Sequence, residues 1–88
     1  MPEEITRREI VLTLLDMIDH YDKRLVLQVE HCRPYTFVKI TDTETSYSTV
    51  GFSKVCWPDK WNKIRGRQIA IAKAVQKLAE LLEATING

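Results

Sequence analysis

Apolar positions near the start of the chain recur with a helical period. Ile10, Leu14, Met17, Ile18 and Tyr21 form one stripe, widened by Val11 and Leu15, while Leu12 falls on the opposite side among Glu9, Asp16 and Asp19. Thr6 and Glu9 have the spacing of a capping box, and Glu3 and Glu4 precede them, where a helix N-terminus favours acids. After Asp22-Lys23 the period changes to two: Leu25, Leu27 and Val29 alternate with Val26, Gln28 and Glu30, the pattern of a strand with one covered face. Arg33-Pro34 interrupts it, and a second strand is predicted from Tyr35 to Thr41. Asp42-Thr43-Glu44-Thr45-Ser46 has turn composition, and a third strand is predicted from Tyr47 to Cys56, with Gly51 marking a bulge or a close backbone approach. Trp57-Pro58-Asp59 ends the sheet. A long helix follows, capped by Asp59 or Asn62, with Ile64, Ile71, Val75, Leu78 and Leu82 as its core stripe, flanked by Ala72, Ala74 and Ala79.

Connections this short join antiparallel neighbours. The expected fold is therefore α+β: a two-layer sandwich in the order α-β-β-β-α, with a three-stranded antiparallel meander and both helices on one face. It forms one domain over residues 1–88, since a chain of this size has room for a single core.

The open face of such a sheet should be polar, and here it is not. If Leu25, Leu27 and Val29 face the helices, Val26 faces outward. In the second strand Tyr35 and Phe37 oppose Val38 and Ile40, and in the third Val50 and Phe52 oppose Tyr47 and Val55. At least one of Tyr35, Phe37 and Phe52 is expected on the open face. Loops or Trp57 and Trp61 could cover it; otherwise it is a dimer interface or a base-stacking platform.

Charge changes the picture only locally. Thirteen cations against twelve acids leave a net charge of +1, so no diffuse field marks the chain as a nucleic-acid or membrane binder. No apolar run approaches the roughly 18 residues of a membrane span, and the charged start, MPEEITRRE, lacks a signal-peptide core, which points to the cytoplasm. In that compartment Cys32 and Cys56 are expected to be reduced. Asp16 and His20 have helical metal-ligand spacing, but a solvated polar face accounts for them as well, and two thiols and two histidines without paired spacing suggest no metal site. His31 and Cys32 point to opposite faces of a strand, and no phosphate loop, nucleophile elbow or CxxC pair occurs. The expectation is a non-enzymatic protein with no catalytic residues, metal or cofactor.

Cations do concentrate where the last helix begins. Lys60, Lys63, Arg65 and Arg67 surround Gly66, Lys54 precedes them on the third strand, and Lys73 and Lys77 continue a cationic row along the helix. Unpaired N–H groups at a helix start, with cations alongside, favour an anion such as a phosphate. Gly66 has a second reading, as a glycine that lets the helix pack closely on the sheet.

The run GFSKVCWPDKWNKIRGRQIAIAKAV resembles a group of small phage and prophage proteins of unassigned function. Gly51, Ser53, Cys56, Pro58, Asp59, Trp61, Lys63, Gly66, Arg67, Ile69, Ala70 and Ala74 carry the pattern. The element order is also similar to that of the double-stranded-RNA-binding domain, in which the basic first turn of the C-terminal helix meets phosphates; Lys63, Arg65 and Arg67 stand near that segment. These likenesses imply an accessory protein that binds RNA or DNA through Lys54, Lys60, Lys63, Arg65, Arg67, Lys73 and Lys77. The competing expectation is a protein-binding module, either a homodimer or an inhibitor of a host protein, acting through the open sheet face with Phe37, Phe52, Trp57 and Trp61.

Overall fold

The computed structural model describes residues 5–54 and 62–88. Two helices and three strands follow one another as α1 (Arg7–Asp19), β1 (Leu25–Cys32), β2 (Tyr35–Asp42), β3 (Ser48–Lys54) and α2 (Lys63–Asn87). The strands form one antiparallel sheet in the order β1-β2-β3, so the expected α-β-β-β-α arrangement is the one adopted.

Local chemistry sets most of the boundaries. Thr6 caps α1 by accepting from Glu9 N, and the Glu9 carboxylate accepts from Thr6 N, completing the capping box. α1 stops at Asp19. Tyr21, which the period placed in its stripe, lies beyond the helix with φ of 52° and is 90% exposed. Arg33 and Pro34 make the two-residue β1–β2 connection, and the peptide between them is cis. The turn from β2 to β3 is fastened by Asp42, whose amide donates to Tyr47 O and whose carbonyl accepts from Ser46 N. α2 begins at the Asn62 cap. The alternative cap at Asp59, and the predicted end of the third strand at Val55 and Cys56, lie outside the described residues.

The inner face of the sheet carries Leu25 and Leu27 from β1, Thr36, Val38, Ile40 and Asp42 from β2, and Thr49, Gly51 and Ser53 from β3. Val38 and Ile40 are fully buried beneath Leu14 of α1 and Val75 and Leu78 of α2. Burying side chains of this size contributes about 1.5–3 kcal/mol each. The helices run antiparallel: Arg7 reaches Glu83 across them at 3.1 Å, and Asn87 Nδ2 donates to Ile5 O.

Gly66, Ala70 and Ala74, spaced by four, form the ridge of α2 that lies along β3. Four helical residues rise about 6 Å, close to the roughly 6.6 Å spanned by two strand residues. Ser53, Gly51 and Thr49 therefore keep step with that ridge. Ser53 Oγ donates to Gly66 O and Thr49 Oγ1 donates to Ala74 O, both at 2.8 Å. Between them Gly51 leaves room for the helix backbone: a Cβ there would stand 2.1 Å from Ala70 O. Gly51 is thus a close approach, and the β2–β3 register runs through it without a bulge. Gly66 sits inside the helix, facing Thr36 and Ser53, so its packing reading is the one realised. The expected stripe holds at Ile71, Val75, Leu78 and Leu82, with Ala74 and Ala79 beside it, and departs at its start. Ala70, Ala74, Val75, Leu78, Ala79 and Leu82 are buried, whereas Ile64 is 71% exposed and Ala72 faces solvent. Small residues, not large ones, decide which side of α2 meets a strand whose own inner residues are small.

Asp42 is fully buried at the end of the sheet. Its carboxylate accepts two 2.9 Å hydrogen bonds from Arg24 and a third from Glu44 N. The Arg24 guanidinium holds the Asp42 carboxyl below the usual carboxylate range, and Arg24 is raised in turn. Among the described residues, no buried side-chain nitrogen or oxygen lacks a partner.

Candidate nucleic-acid interface

The period-two alternation that sends Val38 and Ile40 inward sends Tyr35, Phe37 and Lys39 outward, and the register lines them up with β1 and β3. Cys32, Tyr35 and Lys54 form one row across the open face; Glu30, Phe37 and Phe52 form the next; Gln28, Lys39 and Val50 follow. All three aromatic candidates therefore lie on this face, in one cluster. The Tyr35 and Phe37 rings stack with centroids 5.8 Å apart, Phe37 and Phe52 lie 6.1 Å apart, and Tyr35 meets Phe52 edge-on at 6.4 Å. Phe52 remains 46% exposed, with Val26 and Val50 nearly as open. Tyr35 was absent from the expected interface residues although it shares the parity of Phe37 on the same strand.

Two of the predicted cations join this cluster. Lys54 places its ammonium 5.6 Å from the Tyr35 ring centre. Lys73, on α2, reaches round the edge of β3 to within 5.4 Å of the Phe52 ring centre. Such contacts contribute about 0.5–1 kcal/mol at exposed sites and hold the ammonium groups beside the rings. Lys77 takes the same route and donates to Val50 O at 2.8 Å, occupying an acceptor on the sheet's edge. Among the described residues, Lys39 adds a fourth cation to the face, against the carboxylate of Glu30.

At the helix start the expected Asn62 cap is in place. Asn62 Oδ1 accepts from Ile64 N at 3.0 Å and Arg65 N at 3.2 Å, and Gly66 N bonds Asn62 O. The chain's own cap thus takes up donors that a phosphate would use. Arg65 and Arg67 are exposed on the first turns, and Lys63 opens the helix. Lys60, Trp57 and Trp61 lie outside the described residues.

Asp16 and His20 meet, as their spacing predicts, but as a helix cap: the His20 ring bonds Asp16 O at 2.9 Å and approaches the Asp16 carboxylate at 3.3 Å. That carbonyl, followed by the Asp16 and Asp19 charges, raises His20 above the ordinary histidine value. Among the described residues, no third histidine, cysteine or acid joins them in a group able to hold a metal, and no helix is long and apolar enough to cross a membrane.

Fold and face together define a small two-layer α+β domain that presents an aromatic, lysine-edged sheet surface. No protein-family model matches the chain, nor does any curated protein or solved structure.

Proposed function

We propose that the protein is a non-enzymatic accessory protein that binds single-stranded nucleic acid across its open sheet face. The observation that carries this reading is the contiguous Tyr35–Phe37–Phe52 cluster with Lys54 and Lys73 held at its rings. Every base has a π-face, so exposed rings accept bases of any sequence, and lysines bordering them meet the phosphates between those bases. Paired bases are stacked within a duplex and cannot reach such a surface, so single strands are the fitting form. This moves the seat of binding from the helix start to the sheet. Arg65 and Arg67 then extend the electropositive surface rather than forming its centre. A phage-type origin rests on the resemblance of the C-terminal pattern alone.

The experiment is a fluorescence-anisotropy titration with labelled single-stranded and duplex oligonucleotides at several salt concentrations. Single strands should bind more tightly than duplexes. Each stacked ring is worth about 1–3 kcal/mol per base, so Phe52→Ala should weaken binding roughly 5- to 150-fold. Phosphate contacts by Lys54 and Lys73 should each contribute about −0.7 to the log–log salt slope. Absence of binding at low salt would leave the face, with its exposed Val26 and Val50, to the protein-binding reading.

A further inference from the structure

The two outer edges of the sheet are treated differently. On β3, Lys77 fills the outward carbonyl of Val50 and Lys73 folds over the edge, which are ordinary defences against a further strand. Among the described residues, no side chain crosses the edge of β1 from Leu25 to Val29 in this way. The bond from Thr43 N to Arg24 O sets the alternation, so Val26, Gln28 and Glu30 turn their amide groups toward β2 while Leu27 and Val29 turn theirs outward. The strand, LVLQVEHC, contains no lysine, arginine, proline or glycine. It is also thinly covered: Val26 is 46% exposed on the outer face and Val29 36% exposed on the inner one. On the inner side the edge borders a cleft of about 450 Å³ between Met17, Ile18, Tyr21, Leu27 and Arg67, which one more strand would roof.

We infer that β1 is the dimerisation edge, pairing antiparallel with β1 of a second copy so that two sheets become one of six strands. The occupant is argued from self-complementarity. A two-fold axis through Val29 sets Val29 opposite itself, Gln28 opposite Glu30, Leu27 opposite His31 and Val26 opposite Cys32, so amide meets carboxylate and no two like charges are opposed. Shifting the axis to Glu30 opposes two carboxylates; shifting it to Gln28 opposes Lys23 to Arg33. Like charges directly opposed destabilise a strand pair, and an axis at Leu27 would pair only residues 25–29 of the strand, so the Val29 register, which pairs residues 26–32, is favoured. An antiparallel edge pairing keeps like faces on the same side, so both aromatic clusters would look the same way. The self-association expected from the sheet's face is thereby transferred to its edge, leaving the face open.

The test uses the Val26→Cys chain with Cys56 replaced by serine. In the inferred register the new thiol faces Cys32 of the partner subunit in a non-hydrogen-bonded pair, where Cα atoms stand about 4.5 Å apart, within the range a disulfide spans. Cys32 of the same chain is six residues along the strand, about 20 Å away. Mild oxidation should give a covalent dimer on a non-reducing gel, and adding Cys32→Ser should abolish it. In sedimentation the wild type should be a dimer at micromolar concentration and Val29→Lys a folded monomer. A wild type that stays monomeric at high micromolar concentration overturns the inference. So does a dimer that survives Val29→Lys, or cross-linking that persists with Cys32→Ser. Loss of oligonucleotide binding leaves these outcomes untouched, because they read mass and disulfide alone.

Discussion

Gly51→Ala probes the contact on which the two layers depend. The added Cβ would stand 2.1 Å from Ala70 O and 2.5 Å from Ala74 N, both backbone atoms of α2, so no side-chain rotation relieves it. The helix must lift from β3 by about an ångström or more. Overpacking of this kind typically costs about 1–3 kcal/mol. Lifting the helix also stretches the hydrogen bonds from Thr49 to Ala74 O and from Ser53 to Gly66 O, each worth about 0.5–1.5 kcal/mol. Against this stands a gain of about 0.4–1 kcal/mol from the stiffer unfolded chain. The net loss is about 1–5.5 kcal/mol, the upper end applying if both hydrogen bonds are lost outright. For a domain of this size each kcal/mol lowers Tm by about 4–8 °C, so the variant should melt at least several degrees early. Thermal unfolding followed by circular dichroism measures it, with Val50→Ala as the neighbouring control, because Val50 points to the open face and is 44% exposed. If Gly51→Ala melts within a degree or two of the wild type, the close approach of α2 to β3 is not as described.

Gly66→Ala should be milder but still destabilising: its Cβ would meet the hydroxyls of Thr36 at 2.8 Å and Ser53 at 3.2 Å, outweighing a helix-propensity gain of about 1 kcal/mol, and a raised Tm would refute this. Arg24→Met removes two charged hydrogen bonds from the buried Asp42 carboxylate; Arg24 is itself partly exposed, so the cost should be about 1.5–3 kcal/mol at neutral pH in urea unfolding. Because Arg24 lowers the Asp42 value, its contribution is present above the unfolded carboxylate pKa of about 3.9 and fades as pH falls through the lower folded value; the gap between wild type and variant should therefore narrow in acid, and a gap independent of pH would contradict the pairing. His20 should titrate above the ordinary histidine value by NMR, since the Asp16 carbonyl and the Asp16 and Asp19 charges favour the imidazolium; a midpoint at or below that value would place its ring elsewhere.

Elements with strong local signals were legible in the sequence. The Thr6–Glu9 capping box, the Asn62 cap and the alternation of β1 each follow from chemistry within a few residues. The parity of Tyr35, Phe37, Val50 and Phe52 likewise allowed an apolar open face to be expected. The stripe of α2 held from Ile71 through Leu82 and failed only in the first turns, at Ile64, and at the flanking Ala72. A stripe drawn through the largest residues includes Ile64, but the helix is rotated to bring Gly66, Ala70 and Ala74 against Gly51, a fit between small residues far apart in the chain. Nor could the sequence show that Lys73 and Lys77 would cross the edge of β3, since the alignment of α2 with that strand determines it. The cations of the helix start stood out because they are contiguous in sequence. Those bordering the aromatic face come from β2, β3 and α2 and converge only in the fold.

The central claim is that the open sheet face, and not the helix start, receives a single strand. The most direct measurement is a ¹⁵N-edited NMR titration of the full chain with a short single-stranded oligonucleotide. Amide shifts concentrated at residues 35, 37, 39, 50, 52 and 54, with little change from 64 to 67, are predicted. Shifts confined to residues 64–67, or none at low salt, would contradict the account.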